Sequence, residues 1–201
     1  MLLKLLQVGE PVLRNRARPL THEEIASDSI RELIASMHES LRDAPGVGLA
    51  APQVDVPIQH AIIEDLPEYS ADLPEEELAA RERQPLPFHV IINPRIVRTS
   101  ETAIDFFEGC LSLAGFTALV PRFREVVVEC LDPNFELQTI RASGWYARIL
   151  QHEIDHLNGT LYIDRMHSRS FMSLENYKRH WKSEALDEIR KRFAEPKAVL
   201  R

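Results

Sequence analysis

Residues 151–156 read Gln-His-Glu-Ile-Asp-His, and this His-Glu-x-x-His run constrains the fold more than any other feature of the chain. At 3.6 residues per turn, His152 and His156 stack on one helix face, where both imidazoles can grip a single transition-metal ion. Glu153 falls ~100° further round, close enough to act on a water at such an ion without ligating it. Metal-assisted hydrolysis of an amide needs this arrangement. Ser143 as N-cap and Asn158-Gly159 as a C-terminal stop predict a helix running through the motif. Trp145, Ile149, Leu150, Ile154 and Leu157 spread over more than one face, so the helix is expected to be surrounded by protein. Three ionisable groups on a buried helix are costly unless paired or metal-bound. A metal site is the reading that accounts for them.

A catalytic site of this kind has three protein ligands and one open position. The run continues as His-x-x-Gly-x-x-Tyr, with Gly159 where metzincin proteases carry a glycine and Tyr162 in place of their third histidine. Glu175 lies about where thermolysin-like enzymes place a ligating glutamate. Upstream, Phe107-Glu108-Gly109-Cys110-Leu111-Ser112-Leu113 offers a thiolate, which with two imidazoles would suit zinc or ferrous iron. A third segment, Pro45-Gly46-Val47-Gly48-Leu49-Ala50-Ala51-Pro52-Gln53, is small, apolar and rich in accessible backbone, and it ends in a carboxamide. It lacks the third glycine and the flanking strand pattern of a nucleotide loop. It reads as a loop whose backbone approaches a ligand closely.

These three segments, in this order, resemble the peptide deformylase family. The resemblance is carried by Gly46-Val47-Gly48-Leu49-Ala50-Ala51-Pro52-Gln53, Glu108-Gly109-Cys110-Leu111-Ser112 and Gln151-His152-Glu153-Ile154-Asp155-His156-Leu157. It extends from about Gly9-Glu10-Pro11-Val12-Leu13-Arg14 to about Tyr162-Ile163-Asp164-Arg165-Met166. Gly115-Phe116, Val120-Pro121-Arg122 and Ala142-Ser143-Gly144-Trp145 look like the subgroup with mitochondrial, plant-organelle and some bacterial members.

The resemblance implies that Cys110, His152 and His156 bind the metal, with water as fourth ligand. It implies a substrate, the N-formyl-methionine at the start of new polypeptides, with formate as the released product. Glu153 would be the general base, and the Leu111 backbone N–H and the Gln53 side-chain amide would stabilise the oxyanion. Val47, Gly48 and Gly109 would pair with the peptide as an added strand. Fe²⁺ is the implied physiological metal, with Zn²⁺, Ni²⁺ or Co²⁺ as alternatives in preparations. The chain departs from common bacterial members at Trp145 and Arg148, which are expected to line the methionine pocket, and at Val54-Asp55 after Gln53. Glu108 and Arg122 are expected to form an ion pair beside the site.

Composition bounds the remaining classes. At 201 residues and 44% hydrophobic content, the chain is long enough for one domain with a real core. A net charge of −7 argues against sequence-specific or non-specific nucleic-acid binding. Tyr177-Lys178-Arg179-His180-Trp181-Lys182 is the one basic segment suited to transient contact with the ribosome. The cysteines, Cys110 and Cys130, are expected to be reduced rather than joined. No run reaches a membrane-spanning length, Met1–Leu6 is too short for a signal core, and the absence of an Arg- and Ser-rich stretch leads us to expect no transit segment. The expected location is the bacterial cytoplasm, with a mitochondrion or plastid as the alternative. A homodimer is compatible with the sequence.

One domain over 1–201 is expected, with a core at about 9–166. Thr21-His22-Glu23-Glu24 is a capping-box pattern, followed by Ile30, Leu33, Ile34, Met37 and Leu41 at helical spacing up to Pro45. Strands are expected at Ile58–Ile63, around Val90-Ile91-Ile92, and at Ala103–Phe107, Glu125–Leu131 and Glu136–Arg141. Residues 64–87 read as an acidic, proline-containing surface insertion with a short helix near Glu75–Arg83, and a single C-terminal helix is expected over 173–193. Strands preceding and surrounding one central metal-binding helix give an α+β fold of antiparallel or mixed sheets.

Overall fold

The computed structural model describes residues 1–44 and 46–193, so Pro45 lies outside the described residues. The chain opens with α1 (His22–Ile25), α2 (Asp28–Asp43), β1 (Gly48–Ala50), β2 (His60–Asp65) and α3 (Glu75–Arg81). β3 (Leu86–Thr99), β4 (Ala103–Glu108), β5 (Phe116–Phe123), β6 (Glu125–Leu131) and β7 (Leu137–Ser143) follow, and lead into α4 (Gly144–Leu157). β8 (Met172–Ser173), α5 (Leu174–His180) and α6 (Leu186–Phe193) complete the described chain. Two antiparallel sheets result, one in the order β1-β2-β3-β6-β7 and one in the order β4-β5-β8.

The central helix α4 has Ala147, Ile149, Leu150, Ile154 and Leu157 buried in one core with Ala50, Ala61, Ile63 and Ile91 of the larger sheet. Alternate strand residues Leu49, Ile62, Val90 and Ile92 point the other way, into a second core closed by Ile30, Met37 and Leu41 of α2. A strand covered on both faces reads as an unbroken apolar run, which is what Ala61-Ile62-Ile63 and Val90-Ile91-Ile92 are. Each fully buried leucine or isoleucine here contributes roughly 1.5–3 kcal/mol. The α+β class is therefore as expected.

Local sequence explains most boundaries. The Thr21 capping box forms, with Thr21 Oγ1 accepting from the Glu24 N–H and the Glu24 carboxylate accepting from the Thr21 N–H at 2.9 Å. It opens only α1, because Ser27 caps a second helix three residues on from Glu24. β5 went unread in the sequence because Gly115 and Pro121 flank and interrupt it. The proline is tolerated because β8 pairs only with Phe116 and Thr117, so the nitrogen of Pro121 faces no neighbouring strand.

The expected single helix over 173–193 is corrected: it is two helices, α5 and α6, broken after Trp181. A continuous helix would carry Leu186 ~140° round from Trp181. The break brings Tyr177, Trp181, Leu186, Ile189 and Phe193 together against Phe107 and Leu119. Cys110 and Cys130 are both free. Among the described residues no helix is long and apolar enough to cross a membrane.

Candidate metal centre and active site

α4 is buried along most of its length, and its two histidines meet the loop that follows β4. One ligand atom each from Cys110, His152 and His156 lies within 4.8 Å of the others. Cys110 Sγ is 3.2 Å from His156 Nε2. His152 Nδ1 faces Glu108 at 3.0 Å, which leaves its other ring nitrogen for the centre. A thiolate and two imidazoles form a donor set suited to zinc or ferrous iron. The alternatives recede: Glu175 is exposed on α5, and Tyr162 has its ring 6.3 Å from that of His152 with its phenol pushed up by burial, hence neutral and a poor ligand.

Glu153 is buried, and its Oε2 has no hydrogen-bond partner among the described residues. A buried carboxylate oxygen left unpaired beside three ligand atoms is accounted for by a water or substrate held at an ion there. Burial pushes the Glu153 carboxyl up to about 7, against the pull of His152 and Arg122. That value suits proton transfer near neutrality. Gly48 passes directly under this carboxylate, and a methyl group there would come within 2.7 Å of Glu153 Cδ.

Gln53 is buried after β1. Its carbonyl oxygen accepts from the Ala50 N–H at 2.8 Å, which turns the amide nitrogen toward Ser112 Oγ (3.1 Å) and Cys110 Sγ (3.6 Å). The Leu111 N–H donates to no backbone carbonyl among the described residues. Gln53 and Leu111 thus offer two N–H donors next to the cysteine, as an oxyanion site needs.

Behind the histidines lies a buried charge web. Glu108 accepts from two Arg122 nitrogens, Nε and Nη2, each at 3.0 Å, and also from Arg148. Arg122 reaches on to Asp155, which Arg165 grips through two nitrogens at 2.6 and 2.7 Å. Burial alone would raise the Glu108 carboxyl; Arg122 and His152 overcome it and hold the group well below the usual carboxylate range. The expected Glu108–Arg122 pair is present, but Glu108 also orients the His152 ring, a contact not expected from the sequence. The signal was available: a metal-ligating histidine commonly donates its second nitrogen to a carboxylate, and Glu108 sits two residues from Cys110.

A cavity of about 700 Å³ opens onto the centre and is lined by Val47, Gly48, Gly109, Trp145, Arg148 and Glu153 among others. β1 is an edge strand of its sheet and begins at Gly48; Val47, just before it, has its carbonyl accepting from the Glu64 N–H at 3.1 Å. Arg148 lines the cavity, but its guanidinium is committed to Glu108 and to the carbonyls of Val120 and Ile104. Residues 64–87 do more than cover surface. Asp65 is buried at the end of β2 and holds Arg83 through two contacts at 2.8 and 2.9 Å. Arg81 and Arg83 both lie over the Trp145 ring, at 5.0 and 5.1 Å, and Tyr69 and Arg83 line the cavity. Gly144 (φ +56°) lets α4 start beneath this segment, where a side chain would come within 2.7 Å of the Arg81 carbonyl. Tyr69 and Arg83 carried no sequence signal, because their nearness to the site depends on how the insertion folds back.

The polypeptide deformylase family profile matches residues 2–171. The chain belongs to this family. Relatives of the deformylase chain include peptide deformylase 1A of the tomato chloroplast, 46% identical over 86% of this chain. The human mitochondrial peptide deformylase is 43% identical over 84% of this chain and 69% of its own length. This chain spans about three fifths (62%) of the tomato protein. Among solved structures, a Met-Ala-Ser-bound peptide deformylase from Acinetobacter baumannii superposes with a TM-score of 0.74 at 31% identity, over 83% of this chain and 99% of that one. The deformylase of Synechococcus elongatus, in complex with actinonin, superposes with a TM-score of 0.69 at 36% identity, over 82% of this chain and 80% of that one.

Proposed function

We propose that this chain removes the formyl group from the N-terminal formyl-methionine of new polypeptides and releases formate. The observation that carries the reading is the unpaired, buried Glu153 carboxylate beside the Cys110, His152 and His156 donors. Cys110, His152 and His156 would hold one divalent ion, Fe²⁺ in vivo, with Zn²⁺, Ni²⁺ or Co²⁺ as substitutes. When bound, it supplies Lewis acidity, lowering the pKa of water and polarising the formyl carbonyl.

Glu153 takes a proton from water as the water oxygen bonds to the formyl carbon. The Leu111 N–H and the Gln53 amide stabilise the negative charge that develops on the formyl oxygen. As the C–N bond breaks, Glu153 returns its proton to the leaving amine. Val47, Gly48 and Gly109 receive the peptide backbone along the β1 edge, which selects extended chains over particular sequences. Trp145 and the stem of Arg148 wall the pocket for the methionine side chain. Met-Ala-Ser, bound by the Acinetobacter relative, is what deformylation of formyl-Met-Ala-Ser would leave. A reducing compartment such as the bacterial cytoplasm suits the free Cys110 thiol.

The test is formate release from formyl-Met-Ala-Ser by protein purified without oxygen, with metal measured in the same sample. Release is expected from wild type and lost in Glu153→Gln with metal content unchanged; Cys110→Ser is expected to lose the metal. No release from fully metallated wild type would overturn the proposal, and cleavage of internal peptide bonds would point instead to a peptidase.

A further inference from the structure

The loop that carries Cys110 is a tight turn, closed by the Leu113 N–H donating to the Cys110 carbonyl at 3.0 Å. Its central peptide joins Leu111 to Ser112. The two common forms of such a turn differ by a flip of that peptide; the flipped form would put Ser112 at positive φ, which serine resists, and an outside hold adds to that preference. Here the Ser112 N–H points to Cys110 Sγ at 3.4 Å. On the opposite side, the Leu111 carbonyl accepts from Gln7 Nε2 at 2.9 Å. The same carboxamide accepts from the Ala114 N–H through its oxygen at 3.2 Å. The neighbours of Gln7 extend the hold, with the Val8 N–H donating to the Ser112 carbonyl at 2.7 Å and the Leu6 N–H to the Gln53 carbonyl at 2.9 Å.

We infer that Gln7 is a positioning residue that locks the Leu111–Ser112 peptide, so that the Ser112 N–H stays aimed at the Cys110 sulfur and the turn keeps the preceding peptide, which carries the Leu111 N–H, in place as an oxyanion donor. A flip would turn a carbonyl toward the sulfur and remove its hydrogen bond. Residues 6–8 lie far from the metal motifs in sequence, yet they tie together the two loops that supply Leu111 and Gln53. Gln7 itself is exposed, so replacing its side chain opens no core cavity. The catalytic part of this inference rests on the proposed deformylase activity; the lock on the turn does not.

The test compares wild type with Gln7→Met, which keeps length and loses both hydrogen bonds, and Gln7→Glu, which keeps the acceptor and loses the donor. In both, kcat for formyl-Met-Ala-Ser is expected to fall about tenfold with KM nearly unchanged, since only transition-state contacts are loosened. Amide exchange at Ser112 in zinc-loaded protein is expected to quicken, and the thiolate-to-cobalt charge-transfer band of cobalt-loaded protein to shift. Exchange at Ala114 quickens in Gln7→Met and stays slow in Gln7→Glu. Metal content stays at wild-type level and Tm moves by no more than about 2 °C. Unchanged kcat, exchange and cobalt spectrum would overturn the inference, as would a loss of rate explained by lost metal or lowered Tm. If wild type released no formate, the deformylase reading would fall, and exchange with the cobalt band would still decide the lock.

Discussion

His152 Nδ1 lies 3.0 Å from Glu108 Oε2, and through that contact the His152–His156 face of α4 is fixed to two buried guanidiniums, those of Arg122 and Arg148. Glu108 does two things at once: it sets which histidine nitrogen is free for an ion, and it neutralises charges that burial makes costly.

Glu108→Gln should therefore lose on both counts. Zinc affinity is expected to fall 10- to 100-fold, roughly, as for other carboxylates behind ligating histidines. Stability should fall by about 3–5 kcal/mol, because Arg122 and Arg148 would be left short of counter-charge in the core. Competitive metal titration and denaturant unfolding measure the two effects separately. Wild-type zinc affinity would mean that other contacts orient His152.

Gly48→Ala addresses the proposed base, Glu153. The new methyl group would run into the Glu153 carboxylate and push it from its place beside Cys110, His152 and His156. We expect kcat to fall by about 100-fold or more while metal content stays near wild type, since no ligand is touched. Formate release and metal analysis on one preparation check this. Retained kcat would show that the carboxylate can reposition without cost.

Asp65→Asn tests whether the segment over Trp145 shapes the pocket. Asp65 is 1% exposed, and the Arg83 it holds lines the cavity. Weakening the pair should cost about 3 kcal/mol, because it strands a largely buried charge. KM for formyl-Met-Ala-Ser is expected to rise several-fold with kcat little changed. An unaltered KM in a destabilised variant would confine the insertion to a structural role.

His60 sets a pH dependence of stability away from the site. It is fully buried in β2, neither ring nitrogen has a partner among the described residues, and burial pushes its pKa from 6.5 down to about 4. The unfolded chain therefore binds the proton more readily than the folded one. The neutral-pH stability is full above pH ~6.5, erodes as pH falls, and the loss is complete below about 4. At about 1.4 kcal/mol per pH unit, the loss is on the order of 3 kcal/mol. His60→Leu should flatten the stability curve between pH 6.5 and 4 by that amount. Unfolding curves across this range for both proteins decide it, and parallel slopes would show that water reaches the ring.

The strongest sequence signals were those whose chemistry is local. His152, Glu153 and His156 lie within one helical turn of each other, so their common face follows from helix geometry alone. Glu125–Leu131 was legible as β6 to the residue, because it is a run of strand formers bounded by turns. β1 was not, since Gly48-Leu49-Ala50 is too short to show periodicity and exists as a strand only through pairing with β2. The C-terminal helix was read as continuous because helix propensity carries no information about the distant Phe107 and Leu119 that redirect its apolar side chains.

By itself the sequence determined the helix that presents His152, Glu153 and His156, the apolar runs that must be buried on both faces, and the family to which the three motifs belong. Only the tertiary structure decided that Glu108 backs His152, that Gly48 lies against Glu153, that Arg83 reaches Trp145 and that Gln7 grips the Leu111 turn. The physical reason is range. Backbone periodicity and capping act over a few residues. The contacts that aim a catalytic group join segments up to about a hundred positions apart, as Gln7 and Leu111 are. Hydrogen-bond partners of that kind are chosen by packing.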